Sequence, residues 1–144
     1  MSETASYIAV DLGAESGRVM LGTMAAGKLH LEELHRFSNG PVEVNGSLRW
    51  DFDRLLSEVK TGIGLAAKKA KSKPLGVGVD TWGVDFGLIG DDGRLIEAPF
   101  HYRDSRTNGM MDKAFELMPK RDVYQNTGIQ FMQLNSLYQV LSMR

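Results

Sequence analysis

The segment Asp11-Leu-Gly-Ala-Glu-Ser-Gly-Arg18 puts a carboxylate, two glycines, a hydroxyl and a guanidinium into one short reversal between apolar stretches. Residues of these types can hold a phosphate group and its metal ion. Gly13 and Gly17 can take positive φ at little steric cost, and successive backbone N–H groups in such a turn converge into a concave anion site. Asp11, at the end of the first apolar stretch, would repel a bare phosphate but suits Mg2+ or a metal-bound water. An ordinary hairpin with a polar tip is the other reading of this segment.

Two further segments carry related chemistry. Asp80-Thr-Trp-Gly-Val-Asp85 gathers two carboxylates, a hydroxyl, an indole N–H and a glycine where the apolar run 74–79 gives out. Ligands of open α/β sheets collect at the carboxyl ends of strands. If this run is a strand parallel to the first, Asp11 and Asp80 share one edge of the sheet and face one cleft. Tyr102-Arg-Asp-Ser-Arg-Thr107 adds two guanidiniums and a carboxylate just before a helical pattern. Arg103 or Arg106 either binds a sugar hydroxyl, fixes Asp104, or forms a plain structural ion pair. Trp82 reads equally as a core residue or a sugar platform. His30, His35 and His101 lack metal-ligand spacing.

The elements that must position these groups follow from periodicity. Residues 7–10 read as a short buried strand, 18–24 as its return, and 28–37, through Leu29, Leu31 and Leu34, as a third antiparallel strand after a turn at Ala25-Ala-Gly27. Residues 38–47 hold Asn39-Gly40-Pro41 and Asn45-Gly46 and read as a loop. Asp51 or Asp53 caps a helix whose stripe is Phe52, Leu55, Leu56, Val59, Ile63 and Ala67, ending in the cations of 68–73. Gly62 and Gly64 would weaken it by about 1 kcal/mol each. Residues 74–79 return as a strand packed on both sides. Strands over 85–89 and 95–101, joined at Asp91-Asp92-Gly93, then a helix over 107–118 and a final amphipathic helix running to Arg144, complete the reading.

Composition limits the classes. The chain has 144 residues with 42% hydrophobic content, enough for one domain core and too few for two full domains. With 17 basic and 18 acidic residues, no global field draws it to nucleic acid or an anionic membrane, so anion recognition must be local. It has no cysteine, which excludes disulfides and thiolate chemistry and fits a reducing compartment, the cytoplasm by default. Residues 1–6 are short and polar, with no basic stretch followed by a long apolar one, and no apolar run approaches a membrane span, so neither export nor membrane spanning is expected.

Ala9-Val-Asp-Leu-Gly-Ala14, Ser16-Gly-Arg-Val-Met-Leu21, His35-Arg-Phe37, Trp50-Asp51, Gly78-Val-Asp-Thr-Trp-Gly-Val-Asp-Phe86, Tyr102-Arg-Asp-Ser-Arg-Thr107 and Thr127-Gly-Ile-Gln-Phe131 stand in one order along essentially the whole chain. In that order they resemble the amino-terminal part of the FGGY carbohydrate kinases, most closely the L-rhamnulose kinase branch. The resemblance implies an α/β fold of the ribonuclease H-like, actin-like ATPase type: a mixed sheet opening with a three-stranded antiparallel meander, with helices packed on it. Residues 1–144 would be an incomplete amino-terminal kinase domain, the rest of that domain and a second, nucleotide-binding domain lying outside this chain.

By the same likeness, Gly13, Ala14, Glu15, Ser16, Gly17 and Arg18 bind ATP phosphates and Asp11 stands near Mg2+ through water. Gly83 touches the ketose, Asp80, Thr81 and Trp82 flank it, and Gln130 and Asn135 are further substrate candidates. The family favours threonine at position 14 and an uncharged residue at 15, whereas Ala14 and Glu15 stand here. A carboxylate about 6 Å from a phosphate charge would cost on the order of 1–3 kcal/mol, so Glu15 must point outward or meet metal or Arg18. The catalytic aspartate of the family falls beyond Arg144. The implied activity of the parent is transfer of the γ-phosphoryl group of MgATP to L-rhamnulose, giving L-rhamnulose 1-phosphate. The isolated segment would be inactive, its partners being the small sugar, ATP and the rest of its own chain. Another FGGY kinase, acting on L-fuculose or xylulose, and a non-catalytic binding member of the same scaffold remain alternatives.

Overall fold

The structure, a computed structural model, describes residues 4–144. Residues 1–3, part of the polar N-terminus, lie outside the described residues. The chain divides into two compact units, one formed by the chain up to Gly40 with Asp51–Gly83, the other by Pro41–Trp50 with Val84–Arg144.

The first unit is a four-stranded mixed sheet with one helix. Strands β1 (Ala5–Leu12), β2 (Ser16–Ala25) and β3 (Lys28–Ser38) form the expected antiparallel meander, and β6 (Val77–Thr81) pairs parallel to β1, giving the order β3-β2-β1-β6. Ala26 and Gly27, both at positive φ, make the tight reversal between β2 and β3. Alternation decides which side chains go inward: Ile8 and Val10 of β1 and Val19 and Leu21 of β2 are buried, while Tyr7 and Ala9 face outward. The first strand is thus buried on one face only. A bulge at Val19/Met20 shifts the β3 register, so His35 and Phe37 turn inward while Leu29 and Leu31 stay exposed.

Helix α1 (Phe52–Lys69) lies on the inner face, with Ala66 buried in the core cluster and Val59 and Ile63 packed against it. Asp51 caps it by accepting from the Arg54 N–H at 3.1 Å. The buried stripe runs through Leu55, Gly62 and Ala66, whereas Phe52, Leu56 and Ala67 of the expected stripe are exposed. Gly62 is a point of close approach: a Cβ there would lie 2.3 Å from Val19 Cγ2 and 2.7 Å from Val19 Cβ. Gly62→Ala should therefore lower stability by about 1–3 kcal/mol through overpacking, against the gain of about 1 kcal/mol that alanine normally brings to a helix. Urea unfolding of Gly62→Ala alone and with Val19→Ala checks this, since the second change should restore part of the loss; a stabilised single variant would contradict it.

β6 departs from the expected strand. It starts at Val77, and every residue in it is exposed, because it is the last strand of the order and α1 packs on β1, β2 and β3. Burial on both sides is not found.

The second unit begins with a hairpin, β4 (Val42–Val44) and β5 (Ser47–Arg49), where the sequence reads as a loop. Asn45 and Gly46 supply the two positive φ angles of its turn. No strands form over 85–89 or 95–101 beyond the single bridges Ile89↔Leu95 and Arg49↔Phe100, although the Asp91-Asp92 turn is present, closed by Gly90 N–H to Arg94 O at 2.8 Å. The expected helix over 107–118 is split into a 3-10 turn (Ser105–Thr107) and α2 (Met110–Leu117) by Gly109 at φ 73°. Helix α3 (Lys120–Thr127) follows, then α4 (Ser136–Leu141), which stops before Arg144 and buries Tyr138 and Gln139 while Leu137 is exposed.

Candidate functional site

Within the first unit, register brings the two polar segments together. The parallel pairing of β1 and β6 sets Asp11 beside Asp80 and Leu12 beside Thr81. Asp11 pairs with Arg18 across β2, and Arg18 with Arg36 across β3. Paired residues share a face, so Asp80, Asp11, Arg18 and Arg36 form one charged row on the face opposite Ile8, Val10 and Val19. The reversal that follows β1 and the bend that follows β6 stand at the same end of the sheet.

The row is internally bonded. Arg18 donates to Asp11 Oδ2 through Nε at 2.7 Å and lies 2.6 Å from it through Nη2. Arg36 grips Glu33 through Nε at 3.0 Å and Nη2 at 2.5 Å, and its Nη1 donates to the Ser16 hydroxyl at 3.2 Å. Those hydrogen bonds hold the Glu33 carboxyl below its usual range and push the Arg36 guanidinium up. Arg36 joins the site through this contact, which the sequence reading did not assign.

The turn is tight, yet neither Gly13 nor Gly17 takes the positive φ expected of it. Glycine is needed here for room. A Cβ on Gly17 would meet the Phe37 ring at 2.3 Å and Leu12 Cδ2 at 3.1 Å, and one on Gly13 would press on Ser16 O at 3.0 Å. Gly13 N–H closes the reversal on Ser16 O at 3.0 Å. Ala14 and Glu15 are exposed, so Glu15 points outward, and the partner of Arg18 is Asp11. Asn39, at the end of β3, donates from Nδ2 to Gly13 O at 2.6 Å and from its own N–H to Glu15 O at 2.8 Å. Nothing in local sequence points to it, because 26 residues separate it from Gly13.

Among the described residues, no cluster of three or more His, Cys, Asp and Glu could hold a metal with side chains alone. Asp11 with Asp80 alongside nevertheless suits Mg2+, which keeps most of its water and takes one or two carboxylates together with phosphate oxygens. At the other segment, Thr81 and Gly83 are exposed and Trp82 is half-buried. A Cβ on Gly83 would meet nothing within 4 Å and its φ is not positive, so neither packing nor backbone conformation requires glycine at that position.

The second unit contains the remaining candidates. Asn135 Nδ2 donates to Gln130 O at 2.8 Å, which joins these two residues and commits the Asn135 amide to the loop before α4. Asn135 also lines a mostly apolar cavity of about 240 Å³ with Phe131 and Tyr138, whose phenol is raised by burial. Val84 sits at φ 70°, a strained position for a β-branched residue, and its carbonyl accepts from Ser136 Oγ at 2.5 Å and Gln139 Nε2 at 3.3 Å. Asp85 accepts from Trp50 Nε1 at 2.5 Å and Gln139 Nε2 at 3.1 Å.

The Tyr102–Thr107 segment is built into this unit's interior. Asp104, 3% exposed, accepts from the backbone N–H groups of Leu48 at 2.7 Å and Arg106 at 3.0 Å. Arg106 donates to Gln139 Oε1 at 2.7 Å and Ser142 Oγ at 3.1 Å and covers the Phe100 ring at 3.9 Å; burial lowers its pKa. His101 is buried against Trp50, with Nδ1 accepting from Arg103 N–H at 3.0 Å. Burial lowers its pKa too, as that acceptor role requires a neutral ring. Of the two arginines, Arg106 takes the structural role.

No protein-family model matches the chain. It is 47% identical over 135 residues to a rhamnulokinase of Lactiplantibacillus plantarum, a match covering 94% of this chain and 28% of that protein. A rhamnulokinase of Bacteroides thetaiotaomicron is 44% identical over 139 residues, 96% of this chain and 28% of that protein. The chain thus spans 28% of the length of these curated relatives. Its fold matches a gluconate kinase from Lactobacillus acidophilus with a TM-score of 0.82 at 15% identity, covering 98% of this chain and 28% of that one. A xylulose kinase from the same organism matches with a TM-score of 0.80 at 16% identity, covering 96% and 28%. Among the described residues no helix is long and apolar enough to cross a membrane. In sequence the chain is similar, over nearly its whole length, to part of these rhamnulokinases, and its fold is that of the matched part of these sugar kinases.

Proposed function

We propose that this chain is the amino-terminal part of an ATP-dependent sugar kinase that transfers the γ-phosphoryl group of MgATP to a hydroxyl of L-rhamnulose. The parallel pairing of Asp11 with Asp80 carries the reading, since it sets a phosphate-type turn and a polar sugar-type bend at one end of one sheet. The identity to rhamnulokinases favours L-rhamnulose over L-fuculose or xylulose.

In the reaction, the bond from the γ-phosphorus to the ADP oxygen breaks as one forms to the sugar oxygen, and the hydroxyl proton passes to a base outside this chain. Such transfer depends on positioning and charge neutralisation. The turn of Gly13, Ala14, Glu15, Ser16, Gly17 and Arg18 receives the phosphate oxygens. Asp11 would hold Mg2+ through water, and that ion would supply neutralising charge. Gly83 gives a bare backbone against which the ketose lies, flanked by Asp80, Thr81 and Trp82. Gln130 and Asn135 are weaker sugar candidates, because the Asn135 amide already serves its own loop. The remaining chain of the kinase, closing over the sugar, excludes water and limits ATP hydrolysis.

Coupled ADP-release assays on the 144-residue chain and on the full-length kinase test this with L-rhamnulose, L-fuculose and xylulose. The expected result is turnover by the full-length protein with L-rhamnulose preferred and none by the 144-residue chain. Phosphorylation by the short chain would overturn the assignment of the base, and indifference to L-rhamnulose in the long one would overturn the substrate.

A further inference from the structure

Asn39 is 3% exposed, and its Oδ1 is buried with no donor among the described residues. A stranded acceptor of this kind costs about 1–3 kcal/mol, so this side chain is a poor choice for stability alone. Its side-chain donor explains the asparagine, and the main-chain N–H of the same residue, which any residue but proline would supply, braces the turn at a second point. Nδ2 holds Gly13 O at 2.6 Å and the main-chain N–H holds Glu15 O at 2.8 Å.

A trans peptide is planar, with its C=O and its N–H pointing in opposite directions. Drawing the Gly13 carbonyl toward Asn39 therefore turns the Ala14 N–H away from it, and drawing in the Glu15 carbonyl turns the Ser16 N–H the same way. With Ser16 O already occupied by Gly13 N–H, the carbonyl oxygens of Gly13, Glu15 and Ser16 all have donors inside the protein. The amide side of the turn is left toward an anion, with the Ser16 hydroxyl and the Arg36 guanidinium at its margin.

We propose that Asn39 is the positioning residue of the phosphate turn, orienting the Ala14 and Ser16 N–H groups toward the phosphate oxygens of a nucleotide. The claim about the nucleotide rests on the kinase reading, whereas the claim about the turn does not. Two variants test it: Asn39→Ala removes the side-chain donor, and Asn39→Asp keeps the shape but sets a carboxylate against the Gly13 carbonyl, which serves if alanine does not fold.

In the 144-residue chain, backbone 15N order parameters of residues 14–16 should fall from about 0.85 to below about 0.6 in either variant while those of β1 and β2 hold. An unchanged turn would overturn the positioning role whatever the chain's function. In the full-length kinase, KM for MgATP should rise at least about tenfold with KM for L-rhamnulose within about twofold, about 1.4 kcal/mol of binding confined to one substrate. Equal rises in both constants, or none, would overturn the proposal. A wild-type protein that phosphorylates no sugar would overturn the kinase reading and the nucleotide claim together, with the order parameters still deciding the turn.

Discussion

Asp11→Asn in the full-length protein should, on the proposed kinase reading, lower kcat by about 100-fold or more and leave KM for L-rhamnulose within about threefold. Asparagine keeps the shape and one acceptor toward Arg18, so the paired strands beneath it should hold. It loses the negative charge, and with it both the proposed hold on Mg2+ and the neutral balance with Arg18, which binds Asp11 at 2.6 Å in the native chain. Removing a single preorganised electrostatic partner at a reacting centre typically lowers rates by about 10² to 10³. In the proposed site the sugar, on the Gly83 side, would meet none of this charge directly. Steady-state kinetics with each substrate varied in turn separate the two effects, and equal losses in kcat and sugar affinity would argue against a metal role for Asp11.

Asp104→Ala should destabilise the second unit by about 3–5 kcal/mol, as expected when one partner of a buried charge is removed. Asp104 receives the N–H groups of Leu48 and Arg106, and its carboxylate lies 4.0 Å from Arg106 Nη1, itself a buried atom without a hydrogen bond among the described residues. Alanine would strand both N–H groups and leave the guanidinium of Arg106 with less compensating charge. For a unit of this size such a loss lowers Tm by more than about 10 °C. Thermal unfolding followed by near-UV circular dichroism, which reports Trp50 packed on His101 in the same unit, checks it. A shift below about 3 °C would mean that the carboxylate is replaceable by water.

Much of the first unit was legible because its signals are local and agree. Apolar runs over 7–10 and 18–24 mark the strands, and the Asp51 cap with Leu55, Val59 and Ile63 marks the helix that covers them, while the one-sided burial of β1 and the place of Ala66 in the stripe come from the packing. The charged row depends on the parallel pairing of β1 and β6, which the sequence reading could pose only as a condition. Other features depend on distant partners. Asn39 reaches back to Gly13, and Gly62 is glycine because of Val19, neither of which spacing reveals. Gly17 makes room for the Phe37 ring, so the reading of that glycine as a conformational device was mistaken in cause.

The second unit was harder to read. Apolar residues over 85–89 and 95–101 suggest strands, but these stretches carry Gly87 and Pro99, and Phe100 packs under the guanidiniums of Arg49 and Arg106. The hairpin over 42–49 had its signal in Asn45-Gly46, obscured by the brevity of its strands. Helix α3 lacks an apolar stripe, with Val123 as its buried residue, although Pro119 before it and Gly128 after it are ordinary boundary marks.

The most direct test of the account is 31P NMR of the full-length protein with MgATP and L-rhamnulose, following the γ-phosphorus as it leaves ATP. The account predicts a sugar monophosphate signal growing one for one with ADP, and its near disappearance in Asp11→Asn. Release of inorganic phosphate without a sugar ester, or an ester formed equally well by Asp11→Asn, would contradict it.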